Sequence, residues 1–243
     1  MDEMLGGTRI TYLGHATFRV VTPGGEQLII DPFLTDNPTT PEEPEQVGEL
    51  DTILITHGHF DHFADAIPLA QETGATVISN FEITSYLHSQ GIENAQPIQK
   101  GGTAQIGGIR VTATHAFHSS SIQTEDGSLI YGGEPMGYIL EFESGFKLYH
   151  AGDTALFGDM QLIGEIYRPD LALLPIGDRL VMGPLEAAHA VRLLGVRHVV
   201  PIHYSTDVMP MFTGDPEEFQ EHLSKLAPRT VVHVMEPGDE LSS

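Results

Sequence analysis

The 243-residue chain contains no cysteine. Disulfides are therefore impossible, thiolate metal ligands are excluded, and composition says nothing about redox compartment. Basic residues are scarce: 11 Lys+Arg stand against 34 Asp+Glu, a formal charge of −23 at pH 7. A field of that sign repels phosphate backbones and anionic lipid headgroups, which argues against nucleic acid and membrane surfaces as general partners. It still admits a small anionic ligand, because a metal cation can invert the charge locally. No uninterrupted apolar run approaches the ~20 residues that span a bilayer. The acidic opening Met1-Asp2-Glu3-Met4-Leu5-Gly6-Gly7 lacks the apolar stretch of a signal peptide. The expectation is a soluble protein with the cytoplasm as its default location.

What is present is ordinary globular material. Apolar residues make up 40% and charged residues 19%, which excludes the disordered and fibrous classes. Ile10, Tyr12, Phe18 and Val20 alternate around Gly14-His15, and Pro23-Gly24-Gly25 turns the chain into Leu28-Ile29-Ile30, so an antiparallel meander is predicted first. A polar loop over 37–49 follows, then a buried strand over Asp51–Thr56 and a helix starting at Pro68, a residue suited to a first helical turn. Gly74 stops that helix, Thr76-Val77-Ile78 reads as a strand, and Asn80 caps a further helix ending near Gly91. A second β-rich block spans 103–150, and helices and strands alternate after it. Asp215-Pro216-Glu217-Glu218 reads as a capping box opening a helix with Phe219, Leu223 and Leu226 on one face. An antiparallel block followed by β-α alternation, occurring twice, predicts two similar layers packed sheet to sheet. No shift in composition marks a boundary, so one domain over 1–243 is expected.

Thr56-His57-Gly58-His59-Phe60-Asp61-His62 carries the chemistry. It places four potential metal ligands within six residues, directly after a buried strand. Side chains two apart share a face, so His57 and His59 can point together, while Asp61 and His62 follow as the chain turns. Imidazole and carboxylate suit zinc, and also iron or manganese, so the donors alone leave the ion open. Further ligands should come from loops at the same sheet edge. His118, Asp153 and His203 each close an apolar strand-like run: Ile109 to Ala113, Phe146 to Tyr149 and Val199 to Ile202. Any one of them alone reads as a plain polar residue; beside the first motif they read as ligands.

These residues resemble the metallo-β-lactamase superfamily: H-x-H-x-D-H, then a lone His, a lone Asp and a final His, in that order. More narrowly, Ile30-Asp31-Pro32-Phe33, Ala116-Phe117-His118-Ser119-Ser120, His150-Ala151-Gly152-Asp153-Thr154 and Pro175-Ile176-Gly177-Asp178 are similar to a family of uncharacterised bacterial and archaeal metal-dependent hydrolases close to the ascorbate-6-phosphate lactonases. The resemblance implies an α/β fold, a four-layer αββα sandwich with metals at one edge. It implies two divalent ions, zinc first, with manganese or iron as alternatives. His57, His59 and His118 would hold one ion, Asp61, His62 and His203 the other, and Asp153 would bridge them. The third-motif ligand is either His118 or His115; the pattern A-x-H-S favours His118. Asp31 would orient a ligand histidine from behind. Relatives are commonly dimers or larger, so a homo-oligomer is admissible, although the sequence carries no interface signature.

The implied reaction is hydrolysis of a small ester, lactone or phosphodiester by a metal-bridged hydroxide, with Asp61 and Asp153 as the catalytic carboxylates. His15 and His150 are candidates for substrate contact or proton transfer, each at least equally readable as an internally bonded polar residue, and Asp178, in the loop after the strand over 171–176, is a candidate lining residue of the pocket. The helix start after Arg179-Leu180-Val181-Met182-Gly183-Pro184 is a candidate seat for a substrate phosphate or carboxylate. A diiron redox protein and a non-catalytic metal-binding protein on the same fold are the competing readings. Redox members usually carry H-x-E-x-D in the first motif; here His59 stands at that position.

Overall fold

The computed structural model describes residues 5–40, 47–124, 126–204 and 210–242. Part of the loop expected over 37–49 lies outside them.

The meander forms as expected. β1 (Arg9–Gly14), β2 (Thr17–Val21) and β3 (Gln27–Ile30) pair antiparallel in sequence. β4 (Thr52–Leu54), β5 (Thr76–Ser79) and β6 (Ala95–Pro97) then add in parallel, with α1 (Phe60–Phe63), α2 (Ala66–Thr73) and α3 (Phe81–Ser89) between them. The pattern repeats in the second half. β7 (Thr103–Ile106), β8 (Ile109–His115), β11 (Met136–Glu141) and β12 (Lys147–His150) are antiparallel. β13 (Leu171–Pro175), β14 (His198–Ile202) and β15 (Val231–Val232) continue in parallel, with α4 (Met160–Tyr167), α5 (Pro184–Leu194) and α6 (Pro216–Leu226) as intervening helices. A short hairpin of β9 (Ser121–Gln123) and β10 (Leu129–Tyr131) branches off, and β16 (Glu240–Leu241) closes the first sheet against β1. Each large sheet has seven strands.

Alternation along the strands sorts the apolar residues into three cores. Leu28 and Ile30 of β3, Leu54 of β4, and Leu171 and Leu173 of β13 meet between the two sheets. Ile29 and Ile53 face the opposite way, toward Ala66, Ala70, Ile83 and Leu87 of α2 and α3. Ala172 and Leu174 face Met160, Ala187, Val191 and Phe219 on α4, α5 and α6. Three cores between four layers make the αββα sandwich. Each fully buried aliphatic side chain contributes roughly 1.5–3 kcal/mol, so this layering dominates the energetics.

Two local expectations need correction. α2 begins at Ala66, two residues before Pro68. Asp65 precedes it without capping it, because its carboxylate accepts instead from Leu34 N (2.6 Å), Thr35 N (3.0 Å) and Thr35 Oγ1 (2.6 Å). Asp215 does cap α6, but through Glu217 N at 2.7 Å, while Glu218 faces His222 at 3.4 Å. Asn80 caps α3 through Ile83 N, and Gly74 ends α2 with a left-handed φ of 70°.

Candidate metal centre

The loops after β1, β3, β4, β8, β12 and β14 leave from one edge of the sandwich, because these strands run in the same direction within each sheet. That shared edge gathers His15, Asp31, the 56–62 loop, His118, Asp153 and His203 from across the sequence. One donor atom each from His57, His59 and His118 lies within 4.8 Å of the others, and the same holds for His15, Asp61, His62 and His203. Asp153 faces both groups. Its Oδ2 lies 3.6 Å from His118 Nε2, 4.0 Å from His57 Nε2 and 3.2 Å from His203 Nε2, and its Oδ1 lies 3.3 Å from His62 Nε2.

Asp31 organises the first loop. Its carboxylate, fully buried, accepts from Thr56 N (2.7 Å), Thr56 Oγ1 (2.7 Å) and His62 Nδ1 (2.8 Å). The Thr56 hydroxyl has one proton, and it goes to Asp31. Its 3.0 Å contact with His57 Nδ1 therefore requires the hydrogen on the ring. His57 and His62 are both anchored through Nδ1, which turns Nε2 of each toward the centre. Thr56 was not singled out in the sequence; a hydroxyl directly before the motif was the available signal.

His15 sits behind Asp61, outside the set of residues that line the cavity over the site. Its Nε2 lies 3.0 Å from Asp61 Oδ2, its ring packs 4.0 Å from the His203 ring, and its carbonyl accepts from His203 N at 3.0 Å. Burial and the neighbouring His203 push its pKa down to about 4 against the pull of Asp61, so it is neutral at pH 7 and donates to that carboxylate. Backbone strain marks the same spot: His15, Asp31 and His203 adopt φ of 56°, 49° and 53°. Such conformations cost roughly 1–3 kcal/mol each and persist where surrounding structure holds a functional group in place.

The electrostatics are those of a site short of positive charge. Burial alone would favour the neutral form of Asp61, yet His62, His15 and His203 outweigh it and hold the carboxyl far below its usual range. Asp153 is likewise held down by His203 and His62 against burial. Burial disfavours charge on His62 and His203, but the carboxylates prevail, Asp153 foremost: His62 is raised well above the usual value and His203 to about 9. His57, His59 and His118 are lowered, by burial first.

The remaining candidates fall elsewhere. His150 is buried and internally bonded, with Nε2 3.1 Å from Ala16 O and Nδ1 accepting from Gly152 N at 3.0 Å; it braces the loop carrying Asp153. His115 lies 3.2 Å from Lys100 Nζ, outside both ligand groups. Asp178 does not reach the site: it is exposed, its carboxylate accepts from Thr213 Oγ1 at 3.3 Å, and it is not among the residues lining the cavity over the ligands. Met182 is buried in the helix-side core and Arg179 does not line the cavity either, so the segment 179–184 meets it only through Leu180. The tight turn at Asp178, where Val181 N and Leu180 N bond back to Asp178 O, aims Leu180 inward in place of the charged side chains.

The cavity above the ligands measures about 280 Å³. His59, Asp61, His118, Asp153 and His203 form its floor, and Phe60, Leu129, Leu180, Met211 and Phe212 contribute its walls. None of these wall residues was identified from sequence, since single apolar residues on separate segments carry no local pattern.

The donor set fits divalent metal. His62 Nε2, Asp153 Oδ1 and both ring nitrogens of His203 are buried without a hydrogen-bond partner. Leaving such atoms unpaired costs about 1–3 kcal/mol each, and a cation bound by His62 Nε2, Asp153 Oδ1 and His203 Nε2 removes the penalty for those three. With nitrogen and carboxylate donors and no thiolate, the set suits zinc, manganese or iron.

Comparison with known proteins agrees. Residues 26–204 match the family profile described as the beta-lactamase superfamily domain. A UPF0173 metal-dependent hydrolase of Rubrobacter xylanophilus is 72% identical over 243 residues, the whole of both chains. One from Koribacter versatilis is 45% identical over 238 residues, covering 98% of this chain and 99% of the relative. Among solved structures, Igni18, a metallo hydrolase from the archaeon Ignicoccus hospitalis, superposes with a TM-score of 0.83 at 36% identity, covering 97% of this chain and 98% of that one. Among the described residues no helix is long and apolar enough to cross a membrane. The chain belongs to the metallo-β-lactamase superfamily, within its UPF0173 family of metal-dependent hydrolases.

Proposed function

We propose that the chain hydrolyses a small ester, lactone or phosphodiester at a pair of divalent cations, zinc foremost, in the cytoplasm. His57, His59 and His118 would hold one cation, Asp61, His62 and His203 the other, with Asp153 shared. The observation that carries this reading is Asp153, whose two oxygens face both histidine groups at 3.2–4.0 Å. Such a cation pair acidifies water near neutral pH and polarises the oxygen of the electrophile.

The chain's own residues do the positioning. Asp31 and Thr56 fix the rings of His62 and His57. His15 holds Asp61 Oδ2 at 3.0 Å, fixing the carboxylate at the cavity floor, where a leaving group's oxygen comes within its reach. The apolar walls place few competing polar groups around the floor. Hydrolysis delivers the water's oxygen to the acyl or phosphoryl centre and its proton to the leaving oxygen.

The test is metal analysis of purified protein together with turnover of generic esters and phosphodiesters before and after chelation. Two equivalents of metal per chain, with turnover abolished by chelation and restored by metal, are expected. Metal-loaded protein that turns over neither class, or turnover indifferent to chelation, would overturn the reading.

A further inference from the structure

We propose that the substrate of this centre is an uncharged carboxylic ester or lactone bearing an apolar arm. The inference rests on the hydrolytic reading above and narrows it, setting the phosphodiester aside.

The observation is the chemistry of the cavity mouth. Phe60 in α1, Leu129 in β10, Leu180 in the loop after β13 and Met211 before α6 come from four separate segments and converge on one opening. They are 57%, 69%, 50% and 42% exposed, in a chain carrying a formal charge of −23. Scattered exposed apolar residues need no explanation, but a contiguous group around a concave site marks a surface that apolar material covers. Phe212, buried, completes the wall.

What the cavity lacks points the same way. Among the described residues no Lys or Arg lines it. Apart from the metal-site groups, its polar side chains are Ser119, Ser121 and Gln123, all neutral. A phosphodiester keeps a negative charge that guanidinium or ammonium groups commonly pair, and here the walls supply neither. The acidic field of the chain adds nothing at the walls to hold an anion, so only the cations themselves would attract one. An ester or lactone carbonyl is neutral, is polarised by the floor, and leaves its hydrocarbon portion against Leu129 and Leu180. The volume, at the small end for a small-molecule site, limits that arm to a short chain or ring. In the reaction water's oxygen bonds to the acyl carbon, the acyl carbon–oxygen bond breaks, and the proton goes to the leaving oxygen. A lactone opens to its hydroxy acid.

The experiment compares p-nitrophenyl acetate, butyrate and hexanoate with bis(p-nitrophenyl) phosphate on the metal-loaded protein. In parallel, calorimetry measures binding of hexanamide, a non-hydrolysed analogue, to loaded and metal-free protein. We expect kcat/KM to rise about fourfold per added methylene through KM, the phosphodiester to trail every ester, and hexanamide to bind both forms. Leu129→Asp and Leu180→Asp should each flatten the chain-length slope and weaken hexanamide at least fivefold. Leu162→Asp, on the exposed face of α4 and away from the site, should change neither. A flat slope, a preferred phosphodiester, or hexanamide binding indifferent to both mouth substitutions would overturn the inference. Failure of all turnover would sink the hydrolytic reading instead, and hexanamide binding would then decide the apolar pocket alone.

Discussion

Asp31 Oδ2 lies 2.8 Å from His62 Nδ1, and the same carboxylate takes both donors of Thr56. One acid thus sets the orientation of two rings, His62 directly and His57 through the Thr56 hydroxyl. Three donors converge on two oxygens, so nothing but an acceptor fits there. Asp31→Asn turns an amide NH2 toward a donor and should lower metal affinity roughly 10–100-fold. It should also destabilise the fold by about 1–3 kcal/mol. Competition with a chromophoric chelator, read beside a denaturant melt, separates the two effects. Affinity unchanged within twofold would show that Asp31 supports the fold and not the centre.

The buried carboxylates hold protons on His62 and His203 when no metal is present. His203 titrates near 9, against an ordinary value of 6.5, so at pH 7 it is charged in the metal-free protein, and His62 is raised in the same direction. Ligation requires the neutral ring. Metal uptake at pH 7 should therefore release about two protons, and apparent affinity should climb with pH through the region near 9 where His203 loses its own. Calorimetric titration of the metal-free protein in buffers of differing ionisation enthalpy counts the protons. Zero release at pH 7 would contradict the charge state of both rings.

How much of this was legible in sequence depended on distance along the chain. The 57–62 cluster stood out because its candidate ligands are adjacent, and His118, Asp153 and His203 could be picked as candidates because each follows an apolar run. The repeat of meander and β-α alternation showed the two sheets for the same reason: it is written in local periodicity. His15 against Asp61 spans 46 positions, and no spacing rule links them. Asp178 looked like a lining residue from its place after a strand, yet a turn with a left-handed φ of 62° rotates it away and brings Leu180 in. α2 starts two residues before Pro68, which still falls in its first turn, while Asp65 ahead of it bonds to the 34–35 segment, a long-range contact that local capping rules cannot anticipate.

Gly177 tests how tightly the backbone is fitted around His203, the last of the proposed ligands. A Cβ there would stand 2.1 Å from His203 O and 3.2 Å from Phe212 Cδ1. The nearest obstacle is backbone, which cannot swing aside as a side chain can. Gly177→Ala should displace the strained His203 peptide, costing about 1–3 kcal/mol of stability. It should also weaken metal binding, although residue 177 offers no donor. Thermal melts with and without added zinc read both quantities, and a smaller zinc-induced shift than in the parent protein is expected. An unchanged shift would mean that His203 tolerates movement or does not bind metal.

Two histidines competed for the third-motif position, and their surroundings now differ sharply. His118 presents Nε2 3.6 Å from Asp153 Oδ2, its ring lies 5.2 Å from that of His57 and 5.1 Å from that of His59, and it lines the cavity. His115, the last residue of β8, stands beside Lys100 Nζ at 3.2 Å and against the Phe157 ring at 4.9 Å. Its pKa is lowered, by burial and then by Lys100, so it is neutral at pH 7 without any metal. A cation next to the lysine ammonium would be repelled, whereas one beside His118 meets the carboxylate of Asp153. His118→Ala should therefore cost one of two metal equivalents or weaken it at least 100-fold, with hydrolysis falling in parallel. His115→Ala should retain both equivalents and lose less than about 1 kcal/mol of stability. Metal content of the two purified variants, measured side by side after dialysis, decides the assignment. Loss of metal from His115→Ala with retention in His118→Ala would reverse it.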